Sequence, residues 1–325
     1  MPVEREGQDL SRLYGRERRS GVYEWHRRLQ TRLGNAILLW MARRYRSLPE
    51  RAGYRLGSAI GTAMRWLSPR HYRIVMTNLR LAFGEEKSEG ELRAIAQGCY
   101  RHLGKCLTEF IRLPGMTPEE VRRVTDLKGA EHIEAALARG NGAIILTAHL
   151  GNWELTGARL AVEGYPLTVI ARPQRDTALT EYILRTREAA GMRVLHRDFS
   201  VRRSLKALRS NQVVGILLDQ NAGDDGIFVD FFGHPASTAP GAAAFALRTD
   251  AMVLPTHSWR NPDNRLSIVI GEPAPLIRTG DRDHDLLANT AQYTKIIENH
   301  IRAHPEQWFW LHKRWKSRPP ATRGT

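Results

Sequence analysis

A histidine and a glutamate lie five positions apart in the stretch His149-Leu-Gly-Asn-Trp-Glu154. The apolar run 143–148 before the histidine predicts a buried strand. Gly151 and Asn152 then predict a turn into a helix, with Asn152 as its cap and Glu154 in the first turn, where the helix dipole favours a carboxylate. A histidine held there can take a proton from a hydroxyl while a carboxylate fixes its tautomer. The spacing therefore predicts acid–base chemistry centred on His149.

Other candidate strands also lead to polar residues near their carboxyl ends. Run 167–171 precedes Arg172, run 213–218 precedes Asp219, and run 252–255 leads to His257 and Arg260. In open α/β sheets the ligand site lies outside the carboxyl ends of the strands. A lone histidine after a strand is more often structural, but a histidine, an arginine and a carboxylate on one rim favour an acid–base site.

Several other chemistries lack the residues that they require. The chain contains no His-Glu-x-x-His run for a zinc peptidase and no Gly-x-Ser-x-Gly elbow for a serine hydrolase. Its glycine runs have neither the position of a dinucleotide loop nor the spacing of a phosphate-binding loop. The two cysteines, Cys99 and Cys106, cannot form a disulfide framework or a cysteine-rich zinc site, which favours a reducing compartment. We therefore expect no metal and no resident cofactor.

The elements that must position these residues change in type along the chain. Helical patterns occupy roughly 22–46, 49–67, 70–83, 88–112 and 130–139. Beyond them, the apolar runs 143–148, 167–171, 192–195, 213–218, 252–255 and 266–270 alternate with helical stretches, as at 153–163, 176–190 and 200–210. Such alternation is typical of crossover units around a parallel sheet. The predicted fold is α/β, with a mostly parallel central sheet flanked by helices and a helical N-terminal appendage.

The positive charge is concentrated at the two ends of the chain. Hydrophobic residues at 42% exclude wholesale disorder, and 49 Lys and Arg against 34 Asp and Glu give a net charge of +15. Residues 1–80 carry 17 arginines and 6 acids, and residues 309–325 carry 5 cations and no acid, so the middle is nearly neutral. This distribution differs from the overall basicity of a small nucleic-acid-binding domain, although that class remains an alternative. A solvated basic face is a further possibility.

Two apolar stripes accompany the N-terminal arginines. They comprise Leu29, Leu33, Ile37, Trp40 and Met41 in the first segment, and Leu56, Ala59, Ile60, Ala63, Met64 and Leu67 in the second. The first favours attachment to an anionic membrane, while the second fits either a membrane face or helices packed on the core. No apolar run reaches the ~20 residues needed to span a bilayer, and the first 20 residues lack a signal-peptide pattern. The predicted regions are a flexible basic N-terminus at 1–20, a helical membrane-associating region at 21–115 and an α/β core at 116–325.

Taken together, these motifs resemble the lysophospholipid acyltransferase-like enzymes and, within them, the bacterial lipid A lauroyl and myristoyl transferases. His149 and Glu154 match the family's His-x4-Asp/Glu motif. Three further blocks are similar to family segments: 169–174, the stretch from Leu217 through Asp219-Gln220-Asn221 to Phe231-Phe232-Gly233 and Thr238, and 303–319. The resemblance covers roughly residues 50–320. Asn221 departs from it, because the family has an aspartate at this position.

The resemblance implies a membrane-associated O-acyltransferase. Such an enzyme moves a fatty acyl group from an acyl thioester, carried by acyl-carrier protein or CoA, to a hydroxyl of a lipid acceptor such as a lipid A precursor. The thioester is a cosubstrate, and no other cofactor is implied. The implied location is the cytoplasmic face of the bacterial inner membrane, with peripheral or monotopic attachment to anionic lipids. A phosphatidylinositol mannoside or other lysophospholipid acyltransferase is the alternative within this class, and no nucleic-acid partner is expected.

The resemblance also assigns roles to individual residues. His149 is the general base, Glu154 is the motif carboxylate and Asp219 is a second candidate partner of the histidine. Substrate binding falls to Asn152, Arg172, Gln220, Phe231 and Phe232, with Arg172 on a phosphate of donor or acceptor and the phenylalanines beside an acyl channel or in the core. The C-terminal aromatics Trp308, Phe309, Trp310 and Trp315 lie either at the level of lipid headgroups or in the core.

Overall fold

The centre of the structure, a computed structural model that describes residues 48–171, 177–196 and 200–319, is a seven-stranded sheet. The strands are β1 (Thr125–Lys128), β2 (Ala143–Thr147), β3 (Leu167–Ala171), β4 (Arg193–His196), β5 (Val213–Leu217), β6 (Ile227–Phe231), β7 (His234–Thr238), β8 (Met252–Arg260) and β9 (Leu266–Ile270). The sheet has the order β1-β9-β8-β2-β5-β3-β4, and β6 and β7 form a separate hairpin. The five strands from β8 to β4 are parallel, whereas β9 is antiparallel to β8 and β1 is parallel to β9. The predicted mostly parallel α/β fold is confirmed.

Helices flank the sheet and build the N-terminal part of the described chain. They are α1 (Glu50–Leu67), α2 (Pro69–Phe83), α3 (Glu89–Arg112), α4 (Pro118–Val124), α5 (Ala130–Ala138), α6 (Trp153–Val162), α7 (Thr177–Ala189), α8 (Ser200–Arg209), α9 (Gly241–Thr249) and α10 (Arg282–Ala303). The predicted helices 49–67, 70–83 and 88–112 are confirmed, and a capping box at Ser88 explains where α3 begins. The predicted helix 22–46 and the basic segment 1–20 lie outside the described residues. Within the described ranges, no helix has the length and apolar character needed to cross a bilayer.

The end of β8 differs from the prediction. The strand does not stop at Pro255 but continues to Arg260, because Thr256–Arg260 pairs with the antiparallel strand β9. His257 and Arg260 therefore lie within the strand and not in a loop beyond it. The polar residues in this stretch interrupt the apolar run, so the sequence pattern did not predict that the strand continues. The continuation is evident from its pairing with β9. The hairpin β6–β7 and the helices α9 and α10 were also not predicted.

The C-terminal segment after α10 lies in the core. Trp308, Trp310 and Trp315 are at most 1% exposed and pack against Phe83, Phe231 and Phe232. The interpretation that placed these three tryptophans at headgroup level was wrong, and the core alternative is correct. Even Arg314, counted in the basic C-terminal surplus, is fully buried.

Helix α1 packs on α3 through glycines. A Cβ atom on Gly61 would collide with the carbonyl oxygen of Tyr100, and one on Gly104 would collide with that of Gly57. These glycines therefore permit the close approach of the two helices. The apolar stripe of α1 faces largely away from this contact, since Leu56 is 42% exposed and Leu67 is 82% exposed.

A buried carboxylate, Glu109 of α3, joins the helical part to the sheet. Arg260 of β8 binds it with two guanidinium nitrogens (Nη1 to Oε1, 2.7 Å), and Tyr54 of α1 donates to Oε1 at 2.8 Å. The Asn152 amide donates to Oε2 at 2.6 Å. Burial opposes the ionised form, but Arg260 and these hydrogen bonds outweigh it and lower the pKa of Glu109. The carboxylate thus fixes α1 and α3 against the edge of the sheet that carries His149.

We expect Arg260→Met to lower the free energy of unfolding by about 3–5 kcal/mol, because it leaves Glu109 charged and buried without a cation. Denaturant unfolding followed by tryptophan fluorescence measures the change. The matched control is Arg278→Met, which removes an exposed ion pair with Asp250 and should cost less than about 1 kcal/mol. Equal losses in the two variants would contradict the structural role of the buried pair.

Candidate active site

His149 lies in a tight turn between β2 and α6. Gly151 adopts a left-handed conformation (φ 60°) and packs directly on the backbone of Ser258 in β8, which leaves no space for a side chain. The Asn152 side chain then caps α6 by accepting from the amides of Glu154 and Leu155, both at 3.1 Å. The predicted turn and cap are confirmed. Together they hold the histidine at the carboxyl end of the central strand, with its side chain 19% exposed.

Asp219, which follows the neighbouring strand β5, binds this histidine twice. Its Oδ1 lies 2.9 Å from Nδ1 of His149, and its Oδ2 accepts the backbone N–H of the same residue at 2.9 Å. The indole N–H of Trp308 donates to Oδ2 at 2.7 Å. Burial raises the pKa of Asp219, but the charge and hydrogen bonds of His149 and the Trp308 bond outweigh it, so the pKa falls to about 2. Asp219 is therefore ionised at neutral pH and accepts a hydrogen bond from Nδ1.

This contact determines which nitrogen of His149 is available for chemistry. With the proton on Nδ1 facing the carboxylate, Nε2 of the neutral ring is an acceptor. The amide nitrogen of Gln220 lies 3.3 Å from Nε2 and is placed to donate to it. Trp153 and Phe309 flank the ring, with centroids 4.8 and 6.1 Å away. The arrangement can accept a proton from a hydroxyl at Nε2 and hold the resulting imidazolium against Asp219.

The segment that follows α10 contacts the turn that carries His149. Phe309 donates its amide to the His149 carbonyl at 3.0 Å, and Leu150 forms an isolated antiparallel bridge with Trp308. Sequence reasoning assigned no site role to Trp308. The available signal was its position in the 303–319 block, but that block gave no indication that the indole reaches across to Asp219.

The motif carboxylate Glu154 has a different partner. Arg187 of α7 binds it at 2.6 Å (Nη2 to Oε1) and 2.9 Å (Nε to Oε2), and the Trp153 indole donates to Oε1 at 3.0 Å. Of the two carboxylates that the sequence offered, Asp219 contacts the histidine and Glu154 forms an ion pair between α6 and α7. Arg187 was not singled out from the sequence, because no local pattern connects it to position 154.

The predicted substrate-binding residues are found in several environments. Asn152 is buried, and its side chain is used by the α6 cap and by Glu109. Phe231 and Phe232 are 0% and 4% exposed and pack against Trp308 and Trp310, which is the core alternative of the two that the sequence offered. Gln220 contacts His149. Arg172 lies outside the described residues.

Neither of the residues predicted beyond run 252–255 reaches His149. Arg260 belongs to the Glu109 pair, and the ring of His257 stacks on His300 of α10 with centroids 3.7 Å apart. Burial and the neighbouring histidines lower the pKa of His257 to about 3, so this ring is neutral at physiological pH. Across the described ranges, no group of three or more histidine, cysteine, aspartate or glutamate side chains is arranged to hold a metal ion.

The guanidinium of Arg314 lies beside the backbone of Gln220. It donates to the Ser237 carbonyl and, at 2.5 Å, to Thr238 Oγ1, and its Nη1 lies 3.5 Å from the Gln220 carbonyl. Burial lowers the pKa of Arg314 to about 10, against the opposing effect of Asp219. The arginine therefore remains a cation at neutral pH and places a positive charge near the ionised Asp219.

Comparisons with known proteins agree on one family. The family described as "Bacterial lipid A biosynthesis acyltransferase" matches residues 23–317. The phosphatidylinositol mannoside acyltransferase of Mycobacterium tuberculosis (strain CDC 1551 / Oshkosh) is 31% identical over 218 residues, which is 65% of this chain and 67% of the relative. The lipid A biosynthesis lauroyltransferase of Escherichia coli (strain K12) is 28% identical over 274 residues, 84% of this chain and 88% of the relative.

A second Escherichia coli (strain K12) protein, the lipid A biosynthesis palmitoleoyltransferase, is 28% identical over 269 residues, 81% of this chain and 85% of the relative. The family match spans both the sheet that carries His149 and Asp219 and the C-terminal segment that supplies Trp308. The chain belongs to the bacterial lipid A biosynthesis acyltransferase family, and it is an acyltransferase.

Proposed function

We propose that this protein is a membrane-associated O-acyltransferase that moves a fatty acyl group from an acyl thioester to a hydroxyl of a lipid acceptor. The observation that carries the proposal is the contact of Asp219 with Nδ1 of His149, which leaves Nε2 as the proton acceptor. An acceptor hydroxyl that replaces the Gln220 amide at Nε2 is deprotonated as its oxygen attacks the thioester carbonyl. The C–O bond forms, the C–S bond breaks, and the thiolate leaves with the proton from His149. The donor is acyl-carrier protein or acyl-CoA.

Direct transfer fits the residues around the base. A covalent acyl-enzyme would need a nucleophile, and a thiol acts as one only when it is ionised. Cys99 and Cys106 are buried, and burial raises the pKa of each to about 12. A thioester is already activated toward an alcohol, so a single general base suffices.

Two acceptors fit the comparisons. A lipid A precursor is favoured because the lipid A lauroyltransferase aligns with 84% of this chain. A phosphatidylinositol mannoside is the second candidate, favoured by the 31% identity of the mycobacterial relative. Both candidates present a sugar hydroxyl on an anionic lipid. Because both kinds of acyl donor are cytoplasmic, we assign the reaction to the cytoplasmic face of the bacterial inner membrane.

The outer face of α1 supports peripheral or monotopic attachment to this membrane. Trp66 is 71% exposed and Leu67 is 82% exposed, and the Arg65 guanidinium lies 4.5 Å from the centre of the Trp66 ring. Arg51 and Arg55 are exposed on the same helix. Apolar and aromatic side chains flanked by arginines suit the interface of an anionic bilayer.

His149→Ala should lower the rate of acyl transfer by about 10²–10⁴-fold, because it removes the general base. The assay supplies purified protein with acyl-carrier protein or CoA thioester and a lipid A precursor, and mass spectrometry detects the product. The control is His284→Ala, which changes an exposed histidine at the start of α10. Turnover close to that of the wild type in His149→Ala would refute the proposed function.

Asp219→Asn should lower kcat by up to about 10⁴-fold through the tautomer of His149. The amide oxygen must take the Oδ2 position, where it accepts from the His149 backbone and Trp308. The NH2 group then faces Nδ1 and donates to it, which moves the ring proton to Nε2. Glu154→Gln serves as the comparison, since Glu154 binds Arg187 and not His149, and it should cost less. A larger loss in Glu154→Gln than in Asp219→Asn would reverse the assignment.

Leu67→Glu should weaken sedimentation with phosphatidylglycerol vesicles, because it places a negative charge on the apolar outer face of α1. Leu287→Glu is the matched control, since Leu287 is 44% exposed on α10, which carries no such arginine-flanked face. We expect binding to fall several-fold for the first variant alone. Unchanged vesicle binding in Leu67→Glu would contradict the attachment of α1 to the membrane.

A further inference from the structure

Arg314 is a fully buried cation that binds no carboxylate within the described ranges. The other buried or half-buried arginines beside the site each face one: Arg260 binds Glu109, and Arg187 binds Glu154. Removing a guanidinium from water is costly when no opposite charge contacts it. The position of this charge therefore calls for an explanation beyond the packing of the C-terminal segment.

The hydrogen-bond acceptors around the guanidinium are neutral. It donates to the Ser237 carbonyl and to the Thr238 hydroxyl, and its Nη1 lies 3.5 Å from the Gln220 carbonyl. Its Nε has no hydrogen-bond partner among the described residues. The guanidinium carbon lies 5.0 Å from the centre of the Phe231 ring, whose face attracts a cation. These contacts hold the guanidinium in place, but none of them cancels its charge.

The charge lies one residue away from the catalytic pair. Gln220, whose carbonyl is 3.5 Å from Nη1 of Arg314, directly follows Asp219 in the chain. The side-chain amide of the same glutamine lies 3.3 Å from Nε2 of His149. Asp219 opposes the effect of burial on the pKa of Arg314, so the two charges interact. Because these groups are buried, water and salt screen the interaction only weakly.

The other titratable groups around His149 are paired, neutral or exposed to solvent. Burial lowers the pKa of His102, which contacts the Gly151 carbonyl, to about 3 and raises that of Cys106 to about 12, so both are neutral. On the C-terminal segment, His312 accepts the Asn221 backbone N–H through Nε2. The remaining groups are the ion pairs Glu109–Arg260 and Glu154–Arg187 and the exposed or half-exposed lysines Lys313 and Lys316. Arg314 is thus the buried cation of the described site that no contacting carboxylate neutralises.

The balance of charge follows from these positions. Asp219 is ionised, so it and Arg314 sum to zero while the ring of His149 is neutral. Asp219 favours a proton on His149, and Arg314 opposes it. When His149 takes the proton of the acceptor, the three groups together carry one positive charge. Negative charge develops at the same moment on the carbonyl oxygen of the thioester, and a cation that is already fixed in place stabilises it.

We propose that Arg314 is a positioning residue for the catalytic pair: its buried charge opposes premature protonation of His149 and balances Asp219. The inference rests on the proposed role of His149 as general base. Arg314 touches neither the histidine nor the reacting atoms and acts through the electrostatic field that it adds to that of Asp219. A role in packing alone would not require the charge.

The test is the pH profile of kcat/KM in the full-length chain, whose acidic limb reports the base of the free enzyme. Arg314→Met removes the charge that opposes protonation, so His149 should hold its proton more tightly. The acidic limb should then move to higher pH by about one unit, the scale of one buried charge at an effective dielectric constant of about 20. Arg314→Lys keeps the charge but loses the planar guanidinium contacts, and its limb should stay at the wild-type position even if the plateau is lower.

A second pair of variants changes the charge while Arg314 stays in place. Thr238→Asp puts a carboxylate where the hydroxyl accepts from Arg314, which cancels the positive charge and should move the limb in the same direction. Thr238→Asn is the matched control, because its neutral amide oxygen can accept the same hydrogen bond and should leave the limb in place. This pair carries the test when Arg314→Met yields no folded protein.

The outcomes separate this inference from the proposed function. An acidic limb that stays in place in folded Arg314→Met or in Thr238→Asp would overturn the inference. A limb that moves equally in Arg314→Lys and Arg314→Met would also overturn it, because the shift would then follow the shape of the side chain and not its charge. Neither result affects the role of His149 as base, which fails if His149→Ala remains active.

Discussion

The site depends on one buried carboxylate that three donors keep charged. Asp219 accepts from the ring and the backbone of His149 and from the indole of Trp308, and the cation of Arg314 lies nearby. Without these groups, burial would favour the neutral acid, which cannot hold an imidazolium. Because the donors come from the end of β2 and from the C-terminal segment, the same carboxylate also fixes these two parts of the chain relative to β5. Asp219 therefore has two roles: it joins these parts of the chain, and it orients the ring of His149.

The other two carboxylates near the site have structural partners. Glu109 joins the helices α1 and α3 to the sheet through Arg260, and it reaches the catalytic turn through Asn152. Glu154 joins α6 to α7 through Arg187. Each of them faces an arginine, whereas Asp219 faces a histidine, whose charge can change during a reaction. This difference in partner separates the reactive carboxylate from the structural ones.

The sequence predicted the local features of the site well, since each depends on few residues. The turn at Gly151, the cap at Asn152 and the helices α1 to α3 follow from patterns within a few positions. The pattern also placed His149 and Asp219 on one rim, because parallel strands end at the same edge of a sheet, but it left open whether Glu154 or Asp219 contacts the histidine. The contacts of Trp308, Arg187 and Arg260 join residues that are 33 to 151 positions away, and no pattern predicts such pairs. For Phe231 and Phe232 the sequence left a channel and the core as alternatives, and their packing against Trp308, Trp310 and Trp315 shows that they are core residues.

The most direct test of the central claim compares His149→Ala, Asp219→Asn and the double variant in the acyl-transfer assay. If Asp219 acts only by orienting and charging His149, the double variant should be no slower than His149→Ala alone, because residues that act as a unit have non-additive effects. Losses that multiply in the double variant would show that Asp219 acts independently of the histidine, and they would contradict the coupling of the two side chains.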